Sequence, residues 1–156
     1  MRNHPIPPVT EPLQYRAIGI VRGQYIPNDL QQITRGRLVD LNGIEIEAVL
    51  LGRVLPLMRR HIDQDKPHLW VVYPRYRKID HLHLQITGIW EPSTLAQVQI
   101  GDGDLDEIAD IAGSPCDVLP EGDNYFSIRG ELIYTKPEKE ELVVKIRQRS
   151  RSNGRR

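Results

Sequence analysis

The stretch Leu41-Asn42-Gly43-Ile44 constrains the fold of this chain more than any other. Asn-Gly between alternating apolar residues marks a two-residue type I′ hairpin, because both turn positions take positive φ. Folding there sets Leu41 against Ile44, Val39 against Ile46 and Arg37 against Ala48. One face then carries Val39, Leu41, Ile44, Ile46, Ala48 and Leu50. The other sets Asp40 opposite Glu45, and like charges so placed require a wet face.

Period two runs through most of the remaining chain. Phe126, Ile128, Gly130, Leu132 and Tyr134 alternate with polar residues, Lys136 to Glu140 makes a polar turn around Pro137, and Leu142, Val144 and Ile146 alternate again. Proline has no N–H for a ladder, which confines Pro137 to the turn. Arg16 to Tyr25 is a third strand, with Gly19 and Gly23 permitting a bend. Leu69 to Tyr73 lies between Pro67 and Pro74, and Asp80 to Trp90 supplies Leu82, Leu84, Ile86 and, past a bulge at Gly88, Trp90. Helix is scarce. Asp104 to Ala112 has a capping Asp104 and a terminating Gly113, and Leu57 to Ile62 forms a turn or two.

Short strands with internal glycines and little helix predict an all-β fold with minor α: an antiparallel barrel of five to seven strands with one short helix and disordered tails. A long glycine-bearing first strand, a tight hairpin, a connecting region and a final hairpin follow in that order. Over roughly residues 15–147 this order resembles an OB-fold, with the HLW and HLHLQ strands as an elaboration. An SH3-like or irregular barrel is the competing architecture.

The ends lie outside this pattern. Residues 1–14 hold prolines at positions 5, 7, 8 and 12, and residues 148–156 are a basic Arg/Ser tail with no apolar side chain. A single domain is expected between them, over residues 15–147. One cysteine, Cys116, excludes a disulfide framework. No apolar run approaches the ~20 residues of a membrane span, and no apolar signal segment opens the chain. A cytoplasmic protein without membrane contact is expected.

The formal net charge is zero, but charge is segregated. Eight acids and no base lie between Ile100 and Asp123, whereas Lys145 to Arg156 holds six bases and no acid. Local patches therefore govern binding. Within the acidic run Asp102, Asp104 and Asp106 imitate the start of a calcium loop, but Glu107 and Gly113 occupy the positions that need Gly and Glu. His81 and His83 share one strand face and are the only metal candidates; without a third ligand in sequence they predict no metal site. Nucleophile elbows, Walker loops and dinucleotide fingerprints are absent, so neither an enzyme nor a cofactor is expected.

The segment Trp70 to Lys78 interleaves rings and cations. Rings stack on unpaired bases and guanidinium groups take phosphates. Trp70 is expected in the core and Tyr76 at the surface. Arg75, Tyr76, Arg77 and Lys78, helped by Arg147, Arg149 and Arg151 from the basic end, are the expected contacts to single-stranded DNA or RNA. The alternative is a protein-binding assembly module that takes no nucleic acid.

Overall fold

The computed structural model describes residues 4–60, 62–77, 81–91, 119 and 122–147. Its elements run β1 (Arg16–Pro27), β2 (Arg35–Asp40), β3 (Glu45–Leu50), α1 (Leu55–Arg60), β4 (His68–Tyr76), β5 (Leu82–Ile89), β6 (Phe126–Arg129), β7 (Glu131–Lys136) and β8 (Glu141–Lys145), with a 3-10 turn at Pro137–Lys139. The fold is an OB-fold-like barrel of five strands, as the order of elements suggested. Strands pair β1–β2–β3–β5–β4, and β4 returns to β1.

Closure depends on the length of β1. It pairs with β4 through Gly19–Gly23 and with β2 through Gly23–Pro27, both antiparallel. Gly23 belongs to both seams. A Cβ there would lie 2.3 Å from the Val39 carbonyl oxygen, so only glycine lets the strands approach this closely. β6 adds to Arg16–Gly19 at the near end of β1. One seam departs from the all-antiparallel expectation: β3 and β5 run parallel, from Glu47↔His83 to Leu50↔Ile86. The connection through α1 and β4 permits this direction.

Alternation places Val21, Tyr25, Leu38, Ala48, Leu50, Trp70, Val72, Leu84 and Ile86 inside the barrel, with Val54 and Met58 of the α1 region packed against them. Trp70 is buried, as expected, and its Nε1 donates to the Gly23 carbonyl (2.8 Å). Tyr25 Oη donates to the Ile33 carbonyl (2.7 Å), and burial pushes its pKa up to about 12. A second cluster covers the outside of β1 and β4: Ile18, Ile20, Leu69 and Val71 lie under Ile6 and Leu119. Ile6 belongs to the proline-rich leader, so part of that segment packs on the barrel.

The Asn42-Gly43 turn is a hairpin, but its register differs from expectation. Val39 opposes Glu45 and Leu38 opposes Ile46. Gly43 takes φ +80°, whereas Asn42 is not among the residues with positive φ. The loop therefore has three residues with glycine last, not a type I′ turn. The Asp40 carboxylate selects it by accepting the backbone N–H groups of Asn42 (2.9 Å) and Ile44 (2.8 Å). A slip of one residue reverses the faces of one strand. Leu38 is thus buried, while Leu41 and Ile44 are exposed.

Two further differences concern the later strands. The HLW and HLHLQ segments are β4 and β5 of the barrel itself, not an elaboration. The final hairpin, β7–β8, forms a separate two-stranded sheet with Leu132, Ile133, Tyr134, Leu142 and Val143 exposed. The bulge foreseen near Gly88 is present: Val71 opposes Gly88 but Val72 opposes Ile86, which leaves Thr87 as the extra residue. The expected helix at 104–112, Cys116 and all of the acidic run from Ile100 to Asp123 except Leu119, Gly122 and Asp123 lie outside the described residues. Among the described residues no helix is long and apolar enough to cross a membrane.

Candidate nucleic-acid interface

Four barrel strands place their outward side chains in rows, because paired residues in a sheet point to the same face. Arg37 opposes Glu47, Glu47 opposes His83 and His83 opposes Arg75. The next row is Arg35, Val49, Gln85 and Tyr73. The matching inward row, Gly36, Ala48, Leu84 and Pro74, faces the core. The outer face of β2–β3–β5–β4 therefore carries Arg35, Arg37 and Arg75, and Arg77 follows at the β4 end.

Acids temper these cations. Arg37 Nε lies 3.5 Å from Glu45 Oε1, and Arg77 Nη1 lies 3.8 Å from Glu47 Oε1. His81 Nε2 donates to Glu47 Oε2 at 2.6 Å. That hydrogen bond, with the charges of His81 and Arg77, holds the Glu47 carboxyl below its usual range. The Arg75 guanidinium stands 5.6 Å from the centre of the Tyr73 ring, a cation–π contact that fixes both planes on this face.

The two histidines differ. His81 is exposed and paired, whereas His83 is buried with no partner for Nδ1. Burial, then the nearby Arg77 cation, pushes the His83 pKa down. Among the described residues no group of three potential ligands could hold a metal ion.

The structure divides the residues singled out from sequence. Arg75 and Arg77 share the outer face. Tyr76 is exposed, as expected, but strand alternation turns it the other way, to the barrel rim opposite Leu82. Tyr73 is the ring that accompanies the arginines. Arg147 pairs with Glu131 (3.4 Å) beside the β7–β8 hairpin, and among the described residues no hydrogen bond or ion pair joins it to Arg75 or Arg77. Lys78, Arg149 and Arg151 lie outside the described residues. Arg35 and Arg37 are not evident in the sequence as neighbours of Arg75 because β2 and β4 share a face only through the long-range β3–β5 and β5–β4 pairings.

Residues 17–97 match the family described as PatR RNA-binding protein, N-terminal OB-fold domain, over just more than half of the 156-residue chain. The chain belongs to the PatR OB-fold family. Residues 128–156 match a second family, described as a cyanobacterial OB-fold-like RNA-binding domain, C-terminal. The PatR N-terminal match spans all five barrel strands, and the second match takes in β7, β8 and the basic end. No curated protein and no solved structure matches this chain. Membership among PatR OB-fold domains supports a nucleic-acid-binding role, and RNA in particular.

Proposed function

We propose that this protein is a non-catalytic RNA-binding barrel that takes single-stranded RNA across the outer face of β2–β3–β5–β4. The observation that carries this reading is the row Arg37–Glu47–His83–Arg75, flanked by Arg35 and Arg77. OB-folds bind oligonucleotides over strands 2 and 3 and the loops after strands 1 and 4; Arg35 and Arg37 on β2 and Arg77 at the start of the β4–β5 loop support this reading, with Arg75 beside them on β4. Guanidinium groups hold phosphates in fixed geometry, and Tyr73 and the rim residue Tyr76 offer rings for stacking. Lys78, Arg147, Arg149 and Arg151 extend the same electrostatic attraction without reading sequence.

The test is a titration of labelled oligo-U and oligo-dT at several salt concentrations. Neutralising about four phosphates gives a slope of log K against log salt near −3 for a single strand. Arg37→Ala and Arg75→Ala should each flatten the slope by about 0.7. Absence of binding to both strands at about 50 mM salt would refute the proposal. A second reading, an assembly role, is favoured by the apolar residues exposed on β7–β8. It predicts self-association or partner capture that Leu132→Ser with Leu142→Ser abolishes while RNA binding persists.

A further inference from the structure

The bulge in β5 has a chemical consequence. It places Thr87 on the outside of the barrel with Gly88, one row beyond Tyr73. Thr87 is 7% exposed, and its Oγ1 has no hydrogen-bond partner. Trp90 follows the end of β5, tied by its backbone N–H to the Leu69 carbonyl (2.9 Å), and its Nε1 is also buried without a partner. Buried polar groups are nearly always paired, so two orphans close in sequence require an explanation.

Both residues line one cleft of about 370 Å³. That volume lies in the range of about 300–1,000 Å³ usual for small-molecule sites. Val71 and Tyr73 of β4 form one wall and Pro5 and Pro7 of the leader another. Arg53, an exposed cation, also lines the cleft. The leader is held there by Ile6 in the outer cluster and by Arg16, whose Nη1 donates to the Pro7 carbonyl.

These features match one nucleotide. Proline, valine and aromatic walls accept a flat base. The indole N–H can only donate, and the threonine hydroxyl can donate or accept. In the free chain neither Thr87 Oγ1 nor Trp90 Nε1 has accessible surface, so a base that offers a carbonyl oxygen satisfies the indole once the cleft wall shifts to admit it, and Arg53 suits the phosphate. Tyr73 belongs both to the cleft and to the arginine face, so a strand crossing that face reaches the cleft without leaving the protein.

We infer that the Thr87–Trp90 cleft is a base-recognition pocket for one unpaired, carbonyl-bearing nucleobase of RNA, a reading that rests on the RNA-binding role proposed above. Uracil, guanine and cytosine carry such an oxygen and adenine does not. Sites built around a hydrogen bond reject analogues that leave it unmade. The pocket therefore gives selectivity, while the arginine row gives strength.

The experiment compares oligo-U with oligo-A of equal length on the full chain and on three variants, with thermal melting of each. Wild type should favour oligo-U by about tenfold, the scale of one good base contact. Trp90→Phe removes the donor and keeps the ring. Gly88→Val narrows the cleft; a Cβ at Gly88 meets only Val71, at ordinary contact (3.7 Å), so the backbone there has room for a side chain. Both should reduce the oligo-U preference to near unity and keep the salt slope. Thr87→Val should do the same without lowering Tm, because the hydroxyl it removes has no partner in the folded chain. Equal binding of both strands by wild type, or an undiminished preference in Gly88→Val and Trp90→Phe, overturns the pocket and leaves RNA binding intact. Failure of wild type to bind either strand overturns both readings.

Discussion

His68 Nδ1 lies 2.6 Å from Glu91 Oε1, and the opposite ring nitrogen lies 2.6 Å from the Asp63 carbonyl oxygen. Both neighbours are acceptors, so an imidazolium that donates from both nitrogens satisfies the site. Burial alone would push the pKa of His68 down. The Glu91 hydrogen bond, the Asp63 carbonyl and the charges of Glu91 and Asp63 together outweigh it, and the net shift is upward.

This pair predicts how stability depends on pH. A raised folded pKa stabilises fully below the ordinary histidine value of 6.5, and that stability is lost as pH rises through the folded value. His83 has the opposite sign. Its folded pKa is lowered, so the fold loses stability as pH falls below 6.5. Tm should therefore pass through a maximum near the ordinary histidine pKa. His68→Ala should flatten the alkaline limb and cost about 1–3 kcal/mol by leaving buried partners unpaired. His83→Gln should flatten the acid limb. Thermal melts from pH 5 to about 9 check both, and a monotonic curve in wild type would contradict the assignment.

The seam at Gly23 predicts a sharp sensitivity. Gly23→Ala sets a methyl group 2.3 Å from a backbone oxygen that no rotamer can move. It should cost about 3 kcal/mol, the upper range for overpacking. Gly43→Ala has open space around it and suffers only from φ +80°. It should cost about 1–2 kcal/mol. Urea unfolding of the two variants should rank them in that order.

Glu47 predicts a gain of binding. It neutralises part of the arginine face through His81 and Arg77. Glu47→Gln keeps the shape and removes the negative charge, so RNA affinity should rise several-fold at low salt, and the gain should shrink as salt screens the face. A filter-binding series at low and high salt measures it, and weaker binding at low salt would place the RNA elsewhere.

Tyr76 and the basic end predict opposite signatures. Tyr76 is 71% exposed, so Tyr76→Ala should change stability by no more than about 0.5 kcal/mol. Its loss of stacking should weaken single-strand binding by about 1–3 kcal/mol and leave the salt slope unchanged. Deleting residues 149–156 should instead flatten the slope and weaken all sequences alike. Both follow from the same titration.

Much of the fold was legible in the residues. Period-two alternation marked every barrel strand, and Trp70 and Tyr76 took their expected environments. Gly88 marked a bulge, whereas Gly19 and Gly23, read as permitting a bend, are points of close approach to Phe126 and to β2. The ring-and-cation segment from Trp70 to Lys78 was also legible as a local pattern, and its part in binding belongs to the proposal above. Local pattern ends where long-range pairing begins. Alternation shows that a residue lies in a strand, but many partners satisfy the same alternation, so β7–β8 could be mistaken for barrel strands and β4–β5 for an addition. The Asp40 carboxylate moved the hairpin register by one residue, a competition between side chain and turn that composition does not resolve. Which arginines share a face with Arg75 was decided by the β2–β3, β3–β5 and β5–β4 pairings, and the meeting of Thr87 and Trp90 with Pro5 and Pro7 by the packing of the leader on the barrel. Such contacts bring together residues up to 85 positions apart, and no local signal in the sequence encodes that distance.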